Sequence, residues 1–169
     1  MGEINICLAT PADAPDMAEI LMRSWEVAYK EIMPPDVIRE KNATRHDLYK
    51  RVITEYNTIH YIIQKNEKTV GLVRMDNASC TDLNDSFYEL LAIYIHPNYW
   101  REGIGSYAMD FILNHAQGLR KTAIIVWVLE KNADAIKFYE KFDFKIDGAT
   151  TTVDYGEPPL NVVRMRRRL

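Results

Sequence analysis

Cysteine is scarce in this chain: Cys7 and Cys80 are the only two among 169 residues. Two thiols make at most one bridge, so the fold cannot rest on a disulfide framework. Neither cysteine stands at zinc-ligand spacing from a histidine, so no structural metal is expected. Long hydrophobic runs are missing too. No stretch approaches the ~18 consecutive apolar residues that a membrane span requires. Charge of one sign is not in excess: 21 Lys and Arg against 24 Asp and Glu leave a net charge of -3, which gives no field for a nucleic-acid partner. The only local exception, Arg164 to Arg168, reads as a solvated chain end. A basic leader with an apolar h-region is absent from the first residues. These absences together predict a cytoplasmic protein with free thiols, no membrane association and a single domain spanning 1–169.

Glycine is also sparse, at seven residues, yet two of them fall in one short stretch, HPNYWREGIGSYAMDFIL at 96–113. The surroundings explain the setting. Residues 4–9 alternate as a strand. Thr10-Pro11 reads as a helix start, and Met17, Ile20, Leu21, Trp25, Ala28 and Tyr29 then recur at helical spacing. Met33-Pro34-Pro35 breaks that pattern, and Leu48, Val52, Ile53 and Tyr56 predict a second helix over 44–56. Strand patterns at 60–64 and 69–74 flank Asn66-Glu67-Lys68 as a hairpin. A third strand runs over 87–96 and ends at Pro97. A helix over 103–117, an apolar strand over 122–129, a helix over 132–142 and strands over 145–152 and 161–168 complete the chain. The order β-αα-βββ-α-β-α-ββ predicts an α+β fold with a mixed, mostly antiparallel central sheet flanked by helices.

Three readings compete for Gly103-Ile104-Gly105. A dinucleotide fingerprint matches Gly103-x-Gly105-x-x-Ala108, with Glu130 as the ribose acid. That motif needs its strand to flow straight into the first glycine, whereas Pro97 ends the strand six residues earlier. A plain tight turn into a helix is the bland reading. The third is an anion cradle, in which backbone N–H groups at a helix start, with Arg101 beside them, hold a pyrophosphate.

Flanking residues favour the cradle. Glu89-Leu90-Leu91-Ala92-Ile93-Tyr94-Ile95 runs into the turn, and Asn132-x-x-Ala135-x-x-Phe138-Tyr139-x-x-x-x-Phe144 follows about thirty residues later. With these two motifs the whole chain resembles the GNAT superfamily of acetyl-CoA-dependent N-acetyltransferases. Two positions depart from the family pattern. Trp100 stands where Gln or Arg is usual, and Asp143 stands where a glycine ends the helix.

The resemblance implies transfer of an acetyl group from acetyl-CoA to a primary amine of a small molecule or peptide, by direct attack in a ternary complex. A non-catalytic acyl-CoA-binding or regulatory module of the same fold is the alternative. The pantetheine arm is expected along Ile93, Tyr94 and Ile95, and the pyrophosphate on Arg101, Glu102, Gly103, Ile104, Gly105 and Ser106, with Asn132 and Tyr139 near the arm. A strand-edge N–H in 93–95 would serve as oxyanion donor. Glu89 is expected as the base, directly or through water, because an amine of pKa ~10.4 is almost wholly protonated at pH 7. Tyr139 is expected as the acid for the departing thiolate. Both have bland readings, an exposed strand residue and a packing aromatic. Cys80 has no histidine nearby in sequence, and His96 and His115 read as structural.

Acceptor choice is expected from Trp25 and Tyr29, four apart on one helix face, together with Glu89 and the loop 154–159. The acids Glu26, Glu31, Asp154 and Glu157 suggest a cationic acceptor such as a polyamine or an aminoglycoside. The resemblance also places any homodimer contact on the closing strands.

Overall fold

The computed structural model describes residues 2–55, 59–155 and 158–169; Tyr56 and Glu157, named above, lie outside them. Seven strands form one sheet: β1 (Ile4–Leu8), β2 (Ile59–Lys65), β3 (Lys68–Asn77), β4 (Phe87–Ile95), β5 (Ala123–Leu129), β6 (Lys145–Val153) and β7 (Leu160–Arg168). They are ordered β1-β2-β3-β4-β5-β7-β6. Every neighbouring pair is antiparallel except β4 with β5. The mixed, mostly antiparallel sheet read from the sequence is therefore present.

Helices α1 (Ala14–Ala28), α2 (Pro35–Ala43), α3 (Arg45–Glu55), α4 (Ile104–Gly118) and α5 (Ala133–Glu140) cover the sheet. The sequence reading misses α2. Pro34-Pro35 looks like a break, but Pro35 is the first residue of a helix, where a missing N–H and a fixed φ cost nothing. The ββ turn carries Asn66 and Glu67 at φ 49° and 64°, a two-residue reversal that matches the twist of the hairpin. Among the described residues no helix is long and apolar enough to cross a membrane.

The core has two parts, one on each face of the sheet. Met109, Ile112, Ile124 and Phe144 pack under α4 and α5. Met17, Leu21, Leu72 and Val162 pack under α1. Truncating a side chain such as the fully buried Ile112 to alanine would cost about 2–5 kcal/mol.

Two features of β4 position the site. Its pairing with β5 covers only Phe87–Ala123, Tyr88–Ile124 and Glu89–Ile125. Its register with β3 passes from Met75–Leu90 to Arg74–Ala92, so Leu91 is an extra, unpaired residue. A bulge bends its strand and sharpens the local twist, and this one falls just beyond the last β4–β5 pair. From there β4 continues to Ile95 while β5 continues along β7 to Leu129. The two central strands part, and a wedge opens between them.

Candidate active site

The wedge is the floor of a cleft of about 940 Å³, within the range of a small-molecule site. Its walls come from α1, β4, the glycine turn, β5, α5 and the β6–β7 end. A smaller hollow of about 510 Å³ lies between α1 and α2, lined in part by Glu26, Lys30 and Arg39.

The glycine turn supplies the positive end. Arg101 and Gly103 both adopt left-handed backbone, at φ 64° and 82°. Gly103 caps α4 without any side-chain cap hydrogen bond, and the helix ladder begins only at Tyr107, whose N–H donates to the Gly103 carbonyl at 3.0 Å. The amides of Ile104, Gly105 and Ser106 thus belong to the first turn, which has no intrahelical acceptor. Arg101, Gly103, Gly105 and Ser106 all line the cleft. A Cβ on Gly105 would sit 3.3 Å from the Phe138 ring, so glycine keeps this turn close to α5. Free amides, a helix dipole and a guanidinium fit an anionic pyrophosphate. Glu102 turns away to pair with Lys65, and the Ile104 side chain is buried in the core. Neither lines the cleft.

The strand edge is more selective than the sequence implied. The His96 N–H donates to the Val70 carbonyl at 2.8 Å. Antiparallel ladders alternate, so the backbone of Tyr94 points toward β3, while that of Ile93 and Ile95 points into the wedge. The Ile95 carbonyl is already taken, by Ser24 Oγ at 3.1 Å and by Trp100 Nε1 at 2.6 Å. Trp100, the departure from the family pattern, ties the turn to the strand end. Ile93 is left with both its backbone groups facing the wedge, and Ile95 with its N–H alone. Tyr94 enters the cleft through its side chain instead. Its hydroxyl is 3.3 Å from the Trp25 Nε1 donor and 3.4 Å from the Tyr29 hydroxyl.

Tyr139 lines the same cleft and is 7% exposed. Burial, with Tyr94 nearby, raises its pKa well above that of a free phenol, as burial does for Tyr29 and Tyr155. These side chains are neutral donors at physiological pH. Asn132 caps α5, its Oδ1 accepting from the Ala135 N–H at 3.2 Å, and it also faces the cleft. Asp143 ends the helix in left-handed backbone at φ 61°, and the Phe144 N–H reaches back to the Tyr139 carbonyl at 3.3 Å. This is the closure that glycine normally makes.

Glu89 sits at the apex of the wedge, in the last β4–β5 pair, 7% exposed and not itself a wall of the cleft. Desolvation raises its pKa above that of an ordinary glutamate, against the Ser79 N–H that bonds its carboxylate and the charge of Arg74. The loop carrying Ser79 is fixed by Arg164, which is 3% exposed. The Arg164 guanidinium grips Asp82 with two bonds of 2.8 and 2.6 Å and donates to Asp147 at 2.8 Å. Nothing in the sequence marks Arg164: it sits in the basic run read as a solvated end, but alternation along β7 turns it inward.

Trp25 and Tyr29 line the cleft, together with Trp127 and Tyr155. Among the described residues, the acids of the expected rim do not line the cleft. Glu26 is bonded to Arg23 at 3.0 Å and belongs to the other hollow, while Glu31 and Asp154 are exposed and outside the cleft. His96 accepts from the Asn98 N–H at 3.2 Å, and His115 packs on Phe111 and Tyr61.

Comparison with known proteins bears on this geometry. The model of the acetyltransferase (GNAT) family matches residues 14–144. The chain is 28% identical to the "Probable N-acetyltransferase Rv2775" of Mycobacterium tuberculosis, over 89% of this chain and 85% of that one. Its fold is similar to the PaiA N-acetyltransferase of Thermoplasma acidophilum solved with coenzyme A, with TM-score 0.77, 16% identity and 99% of both chains covered. It is also similar to YncA of Salmonella typhimurium solved with acetyl-CoA, with TM-score 0.68, 17% identity and coverage of 98% and 94%.

Proposed function

The chain belongs to the GNAT family of acetyltransferases, with acetyl-CoA as co-substrate, and we propose that it acetylates a primary amine by direct attack within the wedge between β4 and β5. The observation that carries this reading is the joining of two features in one cleft. Uncapped amides at the start of α4 offer a pyrophosphate cradle, and an unpaired strand edge beyond Glu89–Ile125 offers a backbone seat for an extended arm.

Acetyl-CoA supplies an acyl group on a good leaving thiolate. The residues of this chain do the rest. Arg101 and the amides from Gly103 to Ser106 hold the diphosphate. Ile93 offers its N–H to the thioester oxygen, where a single well-aimed donor contributes about 3 kcal/mol. Glu89 takes a proton from the amine through a water, since its carboxylate lies behind the cleft wall. As the amine nitrogen bonds to the acyl carbon, the carbon–sulfur bond breaks and the electron pair leaves on sulfur. Tyr139 donates its O–H to that sulfur. With a phenol raised above its usual ~10 and a thiol near ~8.5, full proton transfer is uphill. The tyrosine therefore stabilises the thiolate chiefly as a hydrogen-bond donor. Asn132 steadies the arm from the start of α5, and the whole reaction belongs to one domain.

The test is incubation of the purified protein with acetyl-CoA and a panel of amines, following free thiol and product mass together. Stoichiometric thiol and N-acetylated product support the proposal. Tight acetyl-CoA binding with no amine acetylated by any panel member would favour a non-catalytic binding module.

A further inference from the structure

The acceptor half of the cleft differs in character from the cofactor half. Among the described residues, four charged side chains line the cleft, Arg101, Asp134, Lys137 and Lys141. All belong to the glycine turn or to α5 and its C-cap. The opposite half, between α1, β5 and the β6–β7 end, is walled by Trp25, Tyr29, Trp127 and Tyr155, with no carboxylate among its described lining residues. Trp25 meets Tyr29 and Tyr155 edge-on, at 5.1 and 5.3 Å between ring centres and interplanar angles of 76° and 74°. Rings at right angles present a corner in which a further ring packs face to one and edge to another.

Cations back this corner. The Arg45 guanidinium lies over the Trp25 ring at 4.2 Å, and Lys41 Nζ lies over the Tyr155 ring at 5.6 Å. Arg45 Nε and Nη2 are buried without a hydrogen-bond partner among the described residues. Neither Arg45 nor Lys41 has an ion pair among those residues. The Trp25 and Tyr155 faces that could attract a cationic acceptor are thus engaged by Arg45 and Lys41, which repel a further charge.

Building on the proposed amine acetylation, we propose that the acceptor is an aromatic monoamine: a flat aromatic body seated in the Trp25–Tyr29–Tyr155–Trp127 corner, with one amine and no second positive charge. Polyamines and aminoglycosides are disfavoured by Arg45 and Lys41. This replaces the cationic acceptor that the acidic residues of the sequence suggested.

Two readouts test this. The first is calorimetric binding of 2-phenylethylamine and of spermidine to the full protein saturated with coenzyme A, at one pH and low salt. The second is turnover of both amines with acetyl-CoA. The expected result is phenylethylamine binding at least about tenfold tighter than spermidine, with the gap narrowing in Arg45→Gln and in Lys41→Gln as spermidine gains. Spermidine binding as well as phenylethylamine, or a gap unmoved in both variants, would overturn the proposal. Binding decides the acceptor class by itself. Aromatic preference in binding without any turnover would count against amine acetylation while leaving the corner's selectivity standing.

Discussion

Glu89 and Ile125 form the last pair between β4 and β5, and the cleft begins where that pairing stops. A buried carboxylate is thereby held at the apex of an opening whose far end is the amide-lined start of α4. The separation is produced within β4 itself, by the extra residue Leu91. The same bulge that opens the wedge fixes which residues of β4 face into it.

Replacing Glu89 tests the base. Glu89→Gln is expected to lower kcat by about 10²–10⁴-fold and to leave acetyl-CoA affinity unchanged by calorimetry. The wild-type pH profile of kcat/KM should show an acidic limb above the usual glutamate range, because desolvation raises this carboxyl; the variant should lose that limb. Stability carries the opposite sign. A carboxyl whose folded pKa is raised holds its proton more tightly in the folded state, so stability falls as pH rises through the window above the unfolded value. The Tm of Glu89→Gln at pH 7 should therefore equal or exceed that of the wild type.

Tyr139→Phe removes one donor and little volume. A hydrogen bond to a charged group contributes about 1.5–3 kcal/mol, so kcat should fall by roughly 10- to 150-fold. The loss should shrink with an acyl donor whose leaving thiol is more acidic. An unchanged kcat would reduce Tyr139 to packing against Phe144.

Two glycines near the site should respond differently. A Cβ on Gly71 would meet the Tyr94 carbonyl oxygen at 2.8 Å and the Ile95 side chain at 2.7 Å, directly behind the strand edge. Gly71→Ala is expected to cost about 1–3 kcal/mol as overpacking and to weaken acetyl-CoA binding by displacing β4. Gly103 has open space around it and only a left-handed backbone to satisfy. Gly103→Ala should cost about 1–2 kcal/mol with a smaller change in affinity. Thermal melts and acetyl-CoA titrations of the two variants check the contrast.

Arg164 is buried between Asp82 and Asp147. Asp82 is 58% exposed and Asp147 keeps Arg166 at 2.8 Å, so Arg164→Gln is expected to destabilise by about 1–3 kcal/mol as lost charge-assisted hydrogen bonds, which corresponds to a fall in Tm of roughly 2–12 °C for a chain of this size. It should also move the acidic limb of the pH profile upward. Glu89 would lose a nearby positive charge, and the loop that brings the Ser79 N–H to it would lose its anchor. Hydrogen exchange at the Ser79 amide, faster in the variant, separates the anchoring role from a loss of global stability.

Much of this was legible in the sequence because it depends on local pattern. Gly103 and Gly105 sit before a helix start, Asn132 and Asp143 bracket α5, and alternation marks β4. What was not legible depends on pairing between distant segments. The bulge at Leu91 exists only against β3, and it decides that Ile93 opens to the wedge while Tyr94 contributes a side chain. Trp100 looked like a departure from a charged position, and its indole is instead committed to the Ile95 carbonyl. The acids of the sequence suggested a cationic acceptor because composition does not tell which side of α1 Glu26 occupies. Arg164 was hidden in a basic run whose alternate members face opposite sides of β7.

Initial-rate measurement with acetyl-CoA and the best amine of the panel varied against each other tests the central claim most directly. Direct attack in a ternary complex predicts double-reciprocal lines that intersect, with one thiol released per N-acetyl product and no acetyl group retained on the protein. Parallel lines, with acetyl found on Cys7 or Cys80 when the amine is withheld, would contradict it.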